Sequence, residues 1–207
     1  MDHAIQNLTV SILPIIFAIT MHEAAHGYVA RYFGDPTAYL AGRVSLNPVR
    51  HIDPIGTVLL PAVTLLLTGM MFGYAKPVPV NFGNLRQPKR DMRWVALAGP
   101  AANLAMAVLW MVLFKIQVAA HVDEGFFELM SIKGVWINTL FMVLNLIPIP
   151  PLDGGRVAFS LMPAPMAIQY ARLEPFGIPL VFLIIWLSGG VLLVPARAFF
   201  DFLNHVI

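Results

Sequence analysis

Hydrophobic residues in this chain come in long blocks rather than in alternation. The first block runs from Leu8 to Phe33 and stops at Gly34-Asp35-Pro36, whose glycine and proline end a helix. Further blocks cover Thr57–Phe72, Trp94–Ala120, Phe126–Ile147 and Phe176–Val194, with a short apolar piece at Val157–Met162. A helix needs about 20 apolar residues to cross a bilayer. The pattern therefore predicts an all-α polytopic membrane protein with about five to six hydrophobic segments. Between the blocks, Tyr39–Pro48 is punctuated by Gly42 and is expected to be extended or hairpin-like. Lys76-Pro77-Val78-Pro79-Val80-Asn81 must be extended, because alternating prolines forbid a helix. It is either a rigid connector or an edge that an extended peptide joins. No repeat and no appended soluble domain is visible, so residues 1–207 are expected to form a single domain.

Composition sharpens this picture. Hydrophobic residues make up 58% of the chain and charged residues 12%, against about 25% charged in a soluble domain. There is no cysteine, so any metal must be held by His, Asp, Glu or water. No basic stripe with interleaved aromatics is present, and nucleic acid is not an expected partner. The first ten residues lack Lys and Arg, so a cleaved signal is not expected there.

The placement of charge predicts an orientation. Lys76, Arg86, Lys89, Arg90 and Arg93 gather between the second and third blocks, opposed only by Asp91. Cytoplasmic loops are rich in Lys and Arg, which puts this stretch in the cytoplasm and, as a cell-membrane protein, the acidic Asp123-Glu124 loop outside. The fourth block then returns inward and delivers Asp153 near the cytoplasmic face. Arg31, Arg43 and Arg50 place the end of the first block on the same side. With Arg50 and Lys76 both cytoplasmic, Thr57–Phe72 is not a simple span: either it is re-entrant, or Tyr39–Arg50 dips into the protein.

The chemistry sits at His22-Glu23-Ala24-Ala25-His26, inside the first block. Residues four apart share a helix face, so His22 and His26 can bind one metal ion, with Glu23 placed as general base for an activated water. A catalytic zinc usually takes three protein ligands. Most of the other acids lie in loops or near the chain ends, whereas Asp153 stands at the break of an apolar segment, between Pro150-Pro151 and Gly154-Gly155. An acid in that setting is expensive unless it serves a site. Asp153 is the candidate third ligand of a His₂Asp site; the alternative for it is a turn or helix cap after the prolines. Asn145 is a candidate for holding substrate backbone. His51 and Asp53 form a further candidate pair for a catalytic or second metal role; the alternative for Asp53 is ordinary turn chemistry before Pro54.

Three stretches together resemble the site-2 protease family of intramembrane zinc metalloproteases: His22-Glu23-Ala24-Ala25-His26-Gly27, Gly99-Pro100-Ala101-Ala102-Asn103, and Asn145-Leu146-Ile147-Pro148-Ile149-Pro150-Pro151-Leu152-Asp153-Gly154-Gly155. The resemblance implies His22, His26 and Asp153 as ligands to one Zn²⁺ per chain, Glu23 as catalytic base, Asn145 as a substrate contact and Asn103 as a supporting core residue. It implies a minimal member without PDZ or CBS domain, acting as an endopeptidase on transmembrane or membrane-associated segments of other proteins. The rival reading from a different class is a membrane-embedded zinc-binding protein or divalent-metal transporter without protease activity.

Overall fold

The first hydrophobic block forms α1, Asp2–Tyr32, a helix of 31 residues. A computed structural model describes residues 2–59, 63, 76–121, 125–187 and 193–207. Pro14 lies inside α1 and is fully buried, which a helix packed among neighbours tolerates. The helix ends where Gly34 takes φ 110°. Gly34 N–H donates to Arg31 O and Asp35 N–H to Ala30 O, the double closure that an αL glycine permits.

The stretch expected to be extended from Tyr39 differs. Thr37–Leu40 forms one helical turn, α2, and no strand occurs among the described residues. Asp35 decides this locally: its Oδ1 accepts from Thr37 N–H at 3.0 Å and from the Thr37 hydroxyl, so the chain turns at once. A 3₁₀ turn follows at Pro48–Arg50 and a π-helical turn at Pro54–Leu59. Most of the Thr57–Phe72 block lies outside the described residues. Lys76–Asn81 is extended as expected and leads into a 3₁₀ turn at Phe82–Asn84.

Helix α3, Pro88–Ala119, has 32 residues and a length of about 48 Å. It starts six residues before the apolar block. Pro88 occupies the first turn, and the Asp91 carboxylate accepts from Gln87 N–H at 2.8 Å, so the basic residues Lys89, Arg90 and Arg93 ride on the helix rather than on a loop. Helix α4, Gly125–Asn145, runs back. After a break containing the cis Pro150–Pro151 bond come α5 (Asp153–Leu161), α6 (Ala164–Ala171), α7 (Glu174–Leu187) and α8 (Leu193–Val206).

Helices α1, α3 and α4 pack pairwise; α5 lies on α3 and α8 on α4. One core joins Ala107, Trp110 and Met111 of α3 to Val135 of α4 and Leu203 of α8. A second joins Ala30 of α1 to Leu85 and Val95. Apolar side chains such as Leu109 and Ile116 point outward, as a lipid-facing surface requires. Three helices are long and apolar enough to cross a membrane: Thr9–Tyr32, Pro88–Ala119 and Gly125–Asn145. The α6–α7 pair, bent by 69°, makes a fourth if it counts as one span. Among the described residues the count is thus three to four; of the five to six segments expected, Thr57–Phe72 lies mostly outside those residues. The Val157–Met162 piece falls mostly within the nine-residue α5, which is too short to span.

Candidate metal centre

His22 and His26 stand one turn apart on α1, their ring centroids 4.7 Å apart and their Nε2 atoms 3.1 Å apart. Asp153, the first residue of α5, brings Oδ2 to 3.2 Å from His22 Nε2 and 3.3 Å from His26 Nε2. The Pro148–Pro151 break is what lets α5 start here. Gly154 and Gly155 allow the preceding backbone to fold back onto it: a Cβ on Gly154 would strike Ile147 O at 2.5 Å, and one on Gly155 would lie 2.5 Å from Pro150 N.

The hydrogen bonds fix where the protons are. His22 Nδ1 faces Asn103 Oδ1 at 2.7 Å, and His26 Nδ1 faces the carbonyl of Val95 at 2.7 Å. Both partners accept, so both rings carry a proton on Nδ1, and as neutral imidazoles they offer the lone pair at Nε2 to a metal. The buried Asp153 Oδ2 receives no hydrogen bond. Three lone pairs therefore point at one another in a water-poor place, an arrangement that repels itself unless a cation lies between them. The three ligand atoms fall within 4.8 Å of each other. Gly99 of α3 keeps the space open, since a Cβ there would approach His22 Nε2 to 2.6 Å and His26 Nε2 more closely still. Two neutral imidazoles and a carboxylate are a donor set that suits zinc.

Glu23 is half-buried and turned toward the extended segment, where its Oε2 accepts from Val78 N–H at 2.7 Å. Gly27, one turn on, admits that segment: a Cβ there would meet Val44 at 2.9 Å and Val78 at 3.3 Å. Lys76 N–H donates to His51 O, and Arg43 donates to Lys76 O at 2.7 Å.

Asn103 is fully buried and is the hub behind His22. Its Nδ2 donates to Ala18 O at 3.2 Å and to Asn138 Oδ1 at 3.1 Å. Asn145 ends α4 and donates Nδ2 back to Phe141 O at 3.0 Å; it is not one of the residues brought together at the three-ligand group. His51 is buried and donates Nε2–H to Ser45 O, while Asp53 Oδ1 accepts from Ile55 and Gly56 N–H. Both serve the local turns. Asn138, equally buried, escaped the sequence reading. Its signal was a carboxamide in the middle of an apolar segment, at Val135-Trp136-Ile137-Asn138-Thr139.

A sequence model of peptidase family M50 matches residues 111–188. YwhC of Bacillus subtilis, assigned by name to the zinc metalloproteases, is 35% identical over 192 residues, covering 89% of this chain and 84% of YwhC. Rip2 of Mycolicibacterium smegmatis, likewise a zinc metalloprotease by name, is 34% identical over 141 residues, or 67% of this chain and 52% of Rip2. Rip2 of Mycobacterium tuberculosis is 31% identical over 165 residues, or 77% of this chain and 54% of that protein. The chain thus spans about half the length of these mycobacterial relatives. No solved structure matches.

Proposed function

The chain belongs to peptidase family M50, the site-2 protease family, and from that premise we propose that it cuts peptide bonds in or near transmembrane segments of other membrane proteins. It is a zinc-dependent intramembrane protease; the residue roles, the substrate class and the orientation are our reading. His22, His26 and Asp153 would hold one Zn²⁺ per chain. The observation that carries this is the meeting of two bare Nε2 lone pairs with an undonated carboxylate oxygen. When bound, zinc supplies Lewis acidity that polarises a carbonyl and acidifies water.

The protein residues divide the remaining work. Val78 N–H occupies Oε2 of Glu23 and fixes the carboxylate, so Oε1 takes the proton of the attacking water. Glu23 then returns that proton to the leaving amine nitrogen as the C–N bond breaks. A substrate helix has to unwind first, because its own N–H groups cover the scissile carbonyl. Asn145, at the end of α4, would hold the unwound backbone by its carboxamide, giving up its bond to Phe141 O to do so. The non-helical backbone around Pro148–Pro151 lines the site, as a membrane permits only where protein or a cavity satisfies it. The site faces the cytoplasm in this reading: Arg86 N–H donates to Phe33 O, which ties the end of α1 to the basic start of α3. The 207 residues act as one domain in the cell membrane.

The test is Glu23→Gln in the full chain. Bound zinc should stay at the wild-type ratio while cleavage of a transmembrane test substrate falls by about a hundredfold or more. Unchanged cleavage would overturn the base assignment. Asp153→Ala should lose the zinc, and full occupancy in that variant would remove Asp153 from the ligand set.

A further inference from the structure

We propose that Asn138 is a positioning residue for His22, acting through Asn103 to hold the imidazole in the tautomer that presents Nε2 to the metal. The inference rests on the reading of His22 as a zinc ligand. A ligating histidine needs its other ring nitrogen engaged, because that bond fixes both tautomer and ring orientation. Here the partner is Asn103, a neutral carboxamide that serves as an acceptor only if its oxygen, not its nitrogen, faces His22.

Asn103 alone does not determine which way it faces. Its surroundings do. Nδ2 has two hydrogens, and both have acceptors: Ala18 O of α1 and Asn138 Oδ1 of α4. Asn138 is oriented in turn, since its own Nδ2 donates to Gly134 O at 2.8 Å, one turn back on the same helix. The donors therefore run in one sense, from Asn138 to a backbone carbonyl, from Asn103 to Asn138, and from His22 to Asn103. Reversing either carboxamide would set N–H against N–H or oxygen against oxygen in sites that are 0% exposed.

The helix packing is arranged for this contact. Gly134 presses on the indole of Trp110, where a Cβ would come within 2.7 Å of Cε2 and closer to other ring atoms. Asn103 and Trp110 lie two turns apart on α3 and meet Asn138 and Gly134, one turn apart on α4. The small residue admits close approach of the two helices, and that approach brings the two carboxamides to 3.1 Å. A polar residue in a span can simply glue helices together. Such glue would act on stability through the same Asn103–Asn138 bond but would leave the His22 tautomer where it is.

A double-mutant cycle on the full chain separates the two, with zinc affinity read by chelator competition and the His22 tautomer by ¹⁵N NMR of labelled histidine. Asn138→Leu should weaken zinc binding by about tenfold or more and shift His22 away from the Nδ1–H form. Asn138→Asp, protonated in this apolar setting, reproduces the acceptor for Asn103 and the donor to Gly134 O. It should keep affinity within about threefold. In an Asn103→Ala background, Asn138→Leu should add nothing further. Equal losses with and without Asn103, or an unchanged tautomer in Asn138→Leu, would overturn the proposal. Should Asn138→Leu not fold, Asn138→Ser carries the same comparison. His22→Ala that keeps its zinc would instead defeat the ligand reading, so the two failures are distinct.

Discussion

Gly99 shows how much a single missing methyl group decides. Its Cα faces the two histidine rings, and a Cβ there would sit 2.6 Å from His22 Nε2. Gly99→Ala is expected to push the rings apart and lower zinc affinity by about tenfold or more, with the helical content unchanged. Wild-type affinity in a chelator titration of that variant would show that the rings have room to yield. Residues of this kind differ in how legible they are from sequence. His22, Glu23, His26 and Asp153 stand out, because i,i+4 histidines with a carboxylate beside them, and a lone acid at a Pro-Gly break, have few other reasons to occur in apolar surroundings. Asn103 was readable only by resemblance. Asn138 was not readable, because one carboxamide in a span looks the same whether it supports a ligand or joins two helices. The 3.1 Å contact across α3 and α4 is what links it to the residue behind His22.

The elements that carry the site are held by short polar knots outside the membrane. Asp35 is the centre of one. Its side chain is fully buried just after α1 and accepts from Thr37, Asn81 and Asn84. Burial alone would raise its pKa, but those hydrogen bonds hold the carboxylate below its ordinary value of 3.8. A folded pKa lower than the unfolded one means that the ionised group stabilises the fold above that ordinary value. The contribution fades as pH falls through the folded pKa. Asp35→Asn is therefore expected to lower stability at neutral pH by about 2 kcal/mol. Thermal unfolding in detergent, compared between wild type and variant, should show the gap closing in strong acid. A gap independent of pH would mean that Asp35 acts by shape rather than charge. This same knot explains why Tyr39–Pro48 was misjudged from sequence: glycine and proline mark a turn, but not the Asp35 cap that winds Thr37–Leu40 into a helix. The early start of α3 was hidden for a related reason. Hydropathy ends a helix at its charges, whereas Pro88 and Asp91 start one through them.

At the scale of the whole molecule, the chain's lack of cysteine makes its orientation directly measurable. Arg90 is exposed at the start of α3, and Gly125, with nothing within 4 Å of an added Cβ, lies beyond its far end. Single variants Arg90→Cys and Gly125→Cys should react with a membrane-impermeant maleimide from opposite faces, Arg90→Cys from the cytoplasm. Labelling of both from one side would overturn the orientation. The extended stretch Lys76–Asn81 bears on how one copy of the chain would meet another. Along one edge of it, Pro77 and Pro79 have no N–H, and the N–H of Asn81 is taken by Asp35. Successive residues of an extended chain direct their peptide groups to opposite sides, so this edge has no free donor, and of its carbonyls Pro77 O accepts from Arg43 and Asn81 O from Asn84 N–H. Two such edges brought together would have no N–H to exchange. An exposed strand edge ordinarily invites its own kind to pair; this one, without a donor, gives a second copy nothing to accept, so the segment that steadies Glu23 is a poor template for pairing.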